Sequence, residues 1–268
     1  DDIGPFTFNS VRFFVGFLAI VPLALMFEAK KLKKEFRFDT KTFIILSFLI
    51  GLSLFLGSAL QQVALLYTDV ANAAFFTIFY VPMVPIIIFI FKKDFLHWSV
   101  WPSVILCLIG GYFLTNFQDA TIRLGDTLVV LGALFWSTHI IFTGMIVKKY
   151  NLPLTIGAIQ TLLVALFSFI IGLFSEEFVI ANILNEIDSI LYAGILSGGF
   201  AFVLQIYAQR NITPAPAAII FSLEGVFATI AAWFLLNQIL GINNLLGCFF
   251  ILSGVLLSQL VPLIRKAS

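Results

Sequence analysis

The sequence predicts an all-α protein that crosses a membrane many times, and three observations support this fold class. Hydrophobic residues make up 61% of the 268 residues, charged residues make up 11%, and the mean hydropathy is +1.09. A soluble domain usually carries about 25% charged residues, so this chain has too few polar side chains to cover a surface in water. Apolar runs recur along the whole chain, and most of the charged residues lie between them.

Nine of these runs are long enough to be membrane spans, because crossing the hydrocarbon core takes roughly 20 residues. The predicted spans are 6–27, 42–66, 70–91, 98–116, 126–147, 153–174, 188–208, 213–236 and 241–263. Most connections are short, so neighbouring helices are expected to be antiparallel. The run Gly125–Tyr150 lies where the order of features in the sequence begins a second time, which makes it the first helix of a second half.

The charges between the spans alternate in sign and predict the orientation. One set of alternate connections holds 13 of the 15 basic residues, which are Lys30, Lys31, Lys33, Lys34, Arg37, Lys41, Lys92, Lys93, Lys148, Lys149, Arg210, Arg265 and Lys266. Basic connections stay in the cytoplasm, so the C-terminus is predicted to be cytoplasmic in a multi-pass protein of the cell's inner membrane. Asp1 then lies outside, and one further helix is expected upstream of this chain, giving ten in all.

The two halves of the sequence can be superimposed. Pro5 matches Pro153, Gln62 matches Gln205, and Gly111 matches Gly254, in the same order along each half. These matches predict two repeats, at 1–118 and 119–268, with the first helix of the first repeat missing from this chain. A five-helix unit crosses the membrane an odd number of times, so its copy must be inverted, a construction typical of secondary transporters.

Four segments resemble a known family. They are PFTFNSVRFFVGFLAIVPL, ALLYTDVANAAFFTIFYVPMVPIII, LGALFWSTHIIFTGMIVKKYNLPLTIGAIQ and YAQRNITPAPAAIIFSLEGVFATIAAWFLL. Together they make the chain similar to the EamA-type members of the drug/metabolite transporter superfamily. That resemblance covers essentially the whole chain. It implies ten helices, a central cavity, and the movement of metabolites, amino acids or drugs, often outward.

Glu224 is the only acidic residue that the span assignment places deep in an apolar run. A carboxylate inside the membrane is costly and is by default a functional hypothesis. It could carry a proton, contact the substrate, or make a structural hydrogen bond to a neighbouring helix. Ser222 lies close to it in sequence and could face the same cavity.

Trp136, His139 and Thr143 are spaced to share one face of the Gly125–Tyr150 helix. They could form a cavity wall with an aromatic platform, or a packed helix interface with a hydrogen-bonded histidine. The amide and phenol side chains in other spans have the same two interpretations, because polar groups in lipid either join helices or face a wet cavity. These further candidates for substrate binding are Gln61, Gln62, Gln205, Asn72 and Tyr80.

Two other kinds of residue are notable within the spans. Arg12 could extend its side chain to the outer membrane interface, or it could form a salt bridge or an anion-attracting rim. Pro82 and Pro85 each break the hydrogen-bond ladder of their helix and are expected to kink it, whereas Pro214 and Pro216 lie near a helix start, where proline costs little.

The sequence therefore predicts a secondary transporter or exporter of small metabolites that works by alternating access between the repeats. Amino acids and aromatic or drug-like compounds are the candidate substrates, and proton coupling is an open alternative. No catalytic motif, cofactor motif or metal-ligand spacing is present, so no enzyme, cofactor or nucleic-acid partner is expected. Two other readings stay open: a non-transporting membrane scaffold, and an integral-membrane enzyme acting on lipid-linked substrates.

Overall fold

The computed structural model describes residues 3–36, 39–92, 96–115, 123–236 and 239–267, and every element in these ranges is helical. The thirteen α-helices are α1 (Pro5–Phe36), α2 (Thr40–Ala64), α3 (Val70–Thr77), α4 (Tyr80–Lys92), α5 (Val100–Thr115), α6 (Leu124–Tyr150), α7 (Pro153–Ser175), α8 (Ile180–Asn185), α9 (Ile187–Leu191), α10 (Phe202–Ala208), α11 (Pro214–Phe221), α12 (Leu223–Leu236) and α13 (Ile242–Ala267). A π-helix, Tyr192–Ala201, joins α9 to α10. The predicted boundary at 118/119 lies outside the described residues.

Eight helical segments in the described ranges are long and apolar enough to cross a membrane. The predicted span 98–116 corresponds to α5, an apolar helix of 16 residues. The prediction of an all-α polytopic membrane protein is therefore confirmed. Helix α1 differs from its predicted span, because it continues past residue 27 through a run of lysines to Phe36. Backbone hydrogen bonds within a helix do not depend on the lipid, so a polar continuation can stay helical beyond the membrane.

Contacts divide the chain into two units. The first unit comprises Asp1–Val63 with Ile141–Ile212, and the second comprises Ala64–Ile140 with Thr213–Ser268. Each unit therefore takes helices from both halves of the sequence.

In the first unit, α1 and α7 pack along each other in opposite directions, and each helix caps the other. The carboxylate of Glu28, near the end of α1, accepts hydrogen bonds from the Leu154 and Thr155 amides and the Thr155 hydroxyl, at 2.7–3.1 Å. These donors lie at the N-terminus of α7, where amides have no partner within the helix. We call this arrangement a carboxylate clamp.

A second carboxylate clamp lies at the other end of the same helix pair. Glu176, just after α7, accepts hydrogen bonds from the Phe6 and Thr7 amides and the Thr7 hydroxyl, at 2.7–2.8 Å. The two clamps are related by the predicted repeat, since Pro5 and Thr7 match Pro153 and Thr155. The counterparts α1 and α7 thus run antiparallel, as inversion of one repeat requires.

In the second unit, α5 and α13 pack closely and antiparallel through small residues. A β-carbon added at Gly110 would lie 2.7 Å from the carbonyl oxygen of Gly247, and one added at Gly254 would lie 2.8 Å from that of Ser103. The two backbones approach this closely because no side chain separates them.

We expect Gly110→Ala to lower the free energy of unfolding by about 1–3 kcal/mol, because the added methyl group meets backbone that cannot rotate away. Gly172→Ala is the matched control, since a β-carbon there would meet no atom closer than 3.5 Å. Thermal unfolding of the purified protein in detergent measures both. Equal midpoints for the two variants would contradict the close approach of α5 and α13.

Candidate functional site

Two membrane-spanning segments of the second unit are interrupted in the middle. Helix α3 ends at Thr77 and α4 begins at Tyr80, with a turn at Ile78 and Phe79 between them. Helix α11 ends at Phe221 and α12 begins at Leu223, with Ser222 between them. We call these two interruptions the helix breaks.

Each helix break has a local cause. Pro82 has no amide hydrogen to donate to the carbonyl of Ile78, and its ring would crowd that group in a regular helix. The Val81 amide bonds to Ile78 instead, at 2.9 Å, which tightens the turn. At the second break the Ser222 hydroxyl lies 2.6 Å from the carbonyl oxygen of Ile219, a local bond that competes with regular helix geometry.

The helix breaks occupy corresponding places in the two halves of the sequence. The same superposition that matches Gln62 to Gln205 places Ile78 and Phe79 opposite Phe221 and Ser222. Discontinuous spans of this kind supply substrate and ion sites in secondary transporters, because an interrupted helix offers free backbone groups in the membrane.

Four side chains gather at the helix breaks. Tyr80 is 4% exposed, and its hydroxyl has no hydrogen-bond partner among the described residues. The Glu224 carboxylate and the Cys107 thiol are its electrostatic neighbours. Ser222, which is 1% exposed, lies with its hydroxyl 3.4 Å from the Cys107 sulfur.

Glu224 is exposed, whereas Tyr80, whose phenol it influences electrostatically, is buried. The neighbouring Tyr80 hydroxyl is buried without a partner, and such a group normally finds one. Tyr80 and Glu224 can therefore offer a ligand a phenol that donates and accepts hydrogen bonds, and a carboxylate.

Helix α6 contacts this region through Ser137, whose hydroxyl lies 3.4 Å from the backbone oxygen of Tyr80. His139 is fully buried, and its ring meets that of Trp136 edge-on, with centroids 6.1 Å apart. Two residues along a helix turn the side chain by about 200°, so His139 points away from the face that contacts α4. His139 therefore lies apart from the Tyr80 contact, although it and Trp136 belong to the second unit. Thr143, one turn further on, is fully buried and belongs to the first unit.

The remaining sequence candidates are distributed over both units. Asn72, on α3 in the second unit, is 6% exposed, and its amide nitrogen has no partner among the described residues. Gln61, Gln62 and Gln205 belong to the first unit, where each is partly buried. Among the described residues, no three His, Cys, Asp or Glu side chains are grouped as metal ligands would be.

Sequence reasoning missed two polar positions and the clamps. Cys107 lies beside Ser222, and this position has no local sequence signal. Gln209, in the first unit, is 1% exposed with both ends of its amide lacking a described partner. The clamps did have a signal, because a Pro-x-Thr motif is followed by a glutamate 21 residues after the threonine in both halves.

Comparison with known proteins identifies the family. The model of the EamA-like transporter family matches residues 1–116 and again 123–260. The chain belongs to this family. An archaeal relative from Archaeoglobus fulgidus, an uncharacterized transporter, is 31% identical over 266 residues, which cover 97% of this chain and 78% of the relative.

Two further comparisons agree with this family. The uncharacterized transporter YoaV of Bacillus subtilis is 25% identical over 280 residues, covering 99% of this chain and 90% of YoaV. A solved crystal structure superimposes with a TM-score of 0.80 at 15% identity, covering 99% of this chain and 90% of that one. The structural likeness concerns the fold alone, and the family membership makes this EamA-like protein a member of a transporter family.

Proposed function

We propose that this protein is a secondary transporter of small metabolites that binds its substrate at the two helix breaks of the second unit. The observation that carries this proposal is the pair of breaks at corresponding positions, with Tyr80 and Glu224 beside them. Two inverted repeats, 1–118 and 119–268, rock against a fixed site and expose it to either side of the membrane in turn. The basic connections orient the protein with its C-terminus in the cytoplasm.

The chemistry of the helix breaks suits a solute with hydrogen-bond donors, such as the ammonium of an amino acid. The Glu224 carboxylate accepts from such a group or pairs with its charge, and the Tyr80 hydroxyl supplies a second polar contact. The Ser222 hydroxyl contacts the Cys107 sulfur, and this contact holds the second helix break in position. An exchange of protons at Glu224 would couple the flux to a pH gradient.

Flux of amino acids and aromatic compounds through proteoliposomes, with and without a pH gradient, tests this function. We expect saturable flux that falls about tenfold or more in Glu224→Gln, because a hydrogen bond to a charged group is worth about 1.5–3 kcal/mol. Tyr80→Phe should reduce flux less, since it removes one neutral hydrogen bond. A pH gradient that drives wild-type flux but not Glu224→Gln flux would identify the carboxylate as the coupling group.

Two matched variants control this experiment. Glu186→Gln removes a partly exposed carboxylate from the first unit, and Tyr112→Phe removes a half-exposed phenol from α5. Both should transport like the wild type. Flux that survives unchanged in Glu224→Gln and Tyr80→Phe would overturn the proposed site. The absence of flux for every compound in a correctly folded protein would favour the scaffold instead.

A further inference from the structure

Arg12 is a charged residue inside a membrane-spanning helix. It lies seven residues after the first residue of α1, so roughly 10 Å along the helix from its N-terminus. Its side chain is only partly exposed in the described structure. A charge at such a depth costs several kcal/mol unless it has a partner, and in membrane proteins it usually marks a functional site.

A polar relay fixes the orientation of the Arg12 guanidinium. Its Nε donates to the Asn9 carbonyl oxygen at 2.9 Å, and Asn9 is fully buried. The Asn9 amide nitrogen in turn donates to the Ser58 hydroxyl at 3.5 Å, and that hydroxyl donates to the Phe55 carbonyl oxygen at 3.2 Å. A guanidinium held at Nε keeps its two terminal nitrogens as donors.

Aromatic rings flank the same group. The guanidinium carbon lies 5.3 Å from the ring centroid of Phe8 and 5.0 Å from that of Phe13. These cation–π contacts stabilise the positive charge in part and leave no room for water on those sides. They do not use the N–H groups of the guanidinium.

No acidic side chain pairs with Arg12 within the part of the chain that the structure describes. The carboxylates of the two clamps, Glu28 and Glu176, already accept hydrogen bonds from the N-termini of α7 and α1. An arginine that only reached for the membrane surface would not need a buried asparagine and serine to orient it. Among the residues that the structure describes, Arg12 is therefore an oriented cation without a counter-ion.

We propose that Arg12 is a second binding position, within the first unit, for an oxyanion, a carboxylate or a phosphate, on the solute that this protein carries. This inference rests on the proposed function, since it names the chemical class of the transported compound. Planar guanidinium donors match the two oxygens of such a group and bind it in a bidentate manner. The solute supplies the missing counter-ion, and the relay through Asn9 is the positioning element.

Binding and flux measured with paired probes test this proposal on the full-length protein in phosphatidylcholine nanodiscs and liposomes. The pairs are phenylalanine with phenylalaninamide, and benzoate with benzamide, because each pair differs in the carboxylate alone. We expect the acid of at least one pair to be bound and carried at least about tenfold better than its amide. Arg12→Gln should remove this preference for the acid. Arg12→Lys should keep part of it, because lysine has the positive charge but lacks the planar pair of donors that binds two oxygens at once.

Two further variants separate recognition from folding. Asn9→Asp places a carboxylate beside the guanidinium and should weaken acid binding while the protein remains folded, as judged by thermal unfolding. Arg210→Gln is the control. It removes an arginine of the same unit whose guanidinium carbon lies 4.7 Å from the ring centroid of Tyr207, and it should leave the acid preference intact.

Three outcomes would overturn the proposal, and each is distinct from failure of the proposed function. If the wild type carries acids and amides equally well, then Arg12 does not bind an oxyanion of the solute, although the protein is still a transporter. An acid preference that survives in Arg12→Gln would place recognition elsewhere. A preference that is lost when phosphatidylglycerol replaces phosphatidylcholine would assign Arg12 to a lipid headgroup. Loss of all flux in the wild type would instead refute the transporter itself.

Discussion

Replacing Glu28 by alanine is expected to lower the free energy of unfolding by about 2–4 kcal/mol, among the largest effects of any single change in this protein. The variant loses three hydrogen bonds at once, to the Leu154 amide and to the amide and hydroxyl of Thr155. It also removes a negative charge from the N-terminus of α7, where the helix dipole favours one. The two Thr155 donors are buried, so little water replaces the acceptor that they lose.

The two carboxylate clamps should differ in strength. Glu28 is 8% exposed, whereas Glu176 is more accessible and its bonds lie closer to solvent. Glu176→Ala should therefore cost roughly half as much as Glu28→Ala. Glu28→Gln should fall between the wild type and Glu28→Ala, because an amide oxygen still accepts but carries no charge.

Thermal unfolding in detergent, followed by the intrinsic fluorescence or by aggregation, measures all of these variants. Glu177→Ala is the control, because it removes an exposed carboxylate immediately beside Glu176. Equal midpoints for Glu28→Ala and Glu177→Ala would show that the clamp contributes nothing to the stability of the α1–α7 pair.

Gly16→Val is the second substitution with a large expected effect, a loss of about 3 kcal/mol or more. Helix α1 lies against the π-helix so closely that a β-carbon at Gly16 would meet the carbonyl oxygen of Gly194 at 2.8 Å. A β-carbon at Gly194 would likewise meet the Arg12 carbonyl oxygen at 2.6 Å. Both obstacles are backbone, so the helices would have to separate.

A graded series tests this contact. Gly16→Ala should lie between the wild type and Gly16→Val in thermal midpoint, and Gly172→Ala in the neighbouring α7 should match the wild type. If Gly16→Val unfolds at the wild-type temperature, then α1 and the π-helix are not in backbone contact.

Hydropathy and charge were sufficient to predict the fold class, because lipid imposes a length and a composition on every span. The places where a span is interrupted or changes its helix type were harder to predict from the sequence. Pro82 indicates an interruption, but the second break at Ser222 has no proline near it and depends on a single hydroxyl. The π-helix also has no sequence signature, since its register depends on the packing of Gly194 against α1.

The candidate site was predictable in part. A carboxylate or a phenol inside a span stands out in the sequence, and Tyr80 and Glu224 do lie near each other. Which neighbours they have depends on how separate helices meet, so the sequence could not distinguish Ser137, which contacts α4, from His139, which faces elsewhere. The repeated Pro-x-Thr motif with its following glutamate marks the two clamp glutamates, but it does not say what they bind, because their partners lie more than 120 residues away in the chain.

That separation has a consequence for biosynthesis. The ribosome makes Glu28 126 residues before Leu154, so at about 5–20 residues per second the carboxylate waits roughly 6–25 s for the amide it binds. During this time α1 has been inserted without its antiparallel neighbour, and its charged end must stay hydrated at the membrane surface or be held by the insertion machinery. The Glu176 clamp closes later still, because Glu176 is made 170 residues after the Phe6 amide that it binds. This helix pair therefore assembles from one membrane face to the other, in the order in which it is translated.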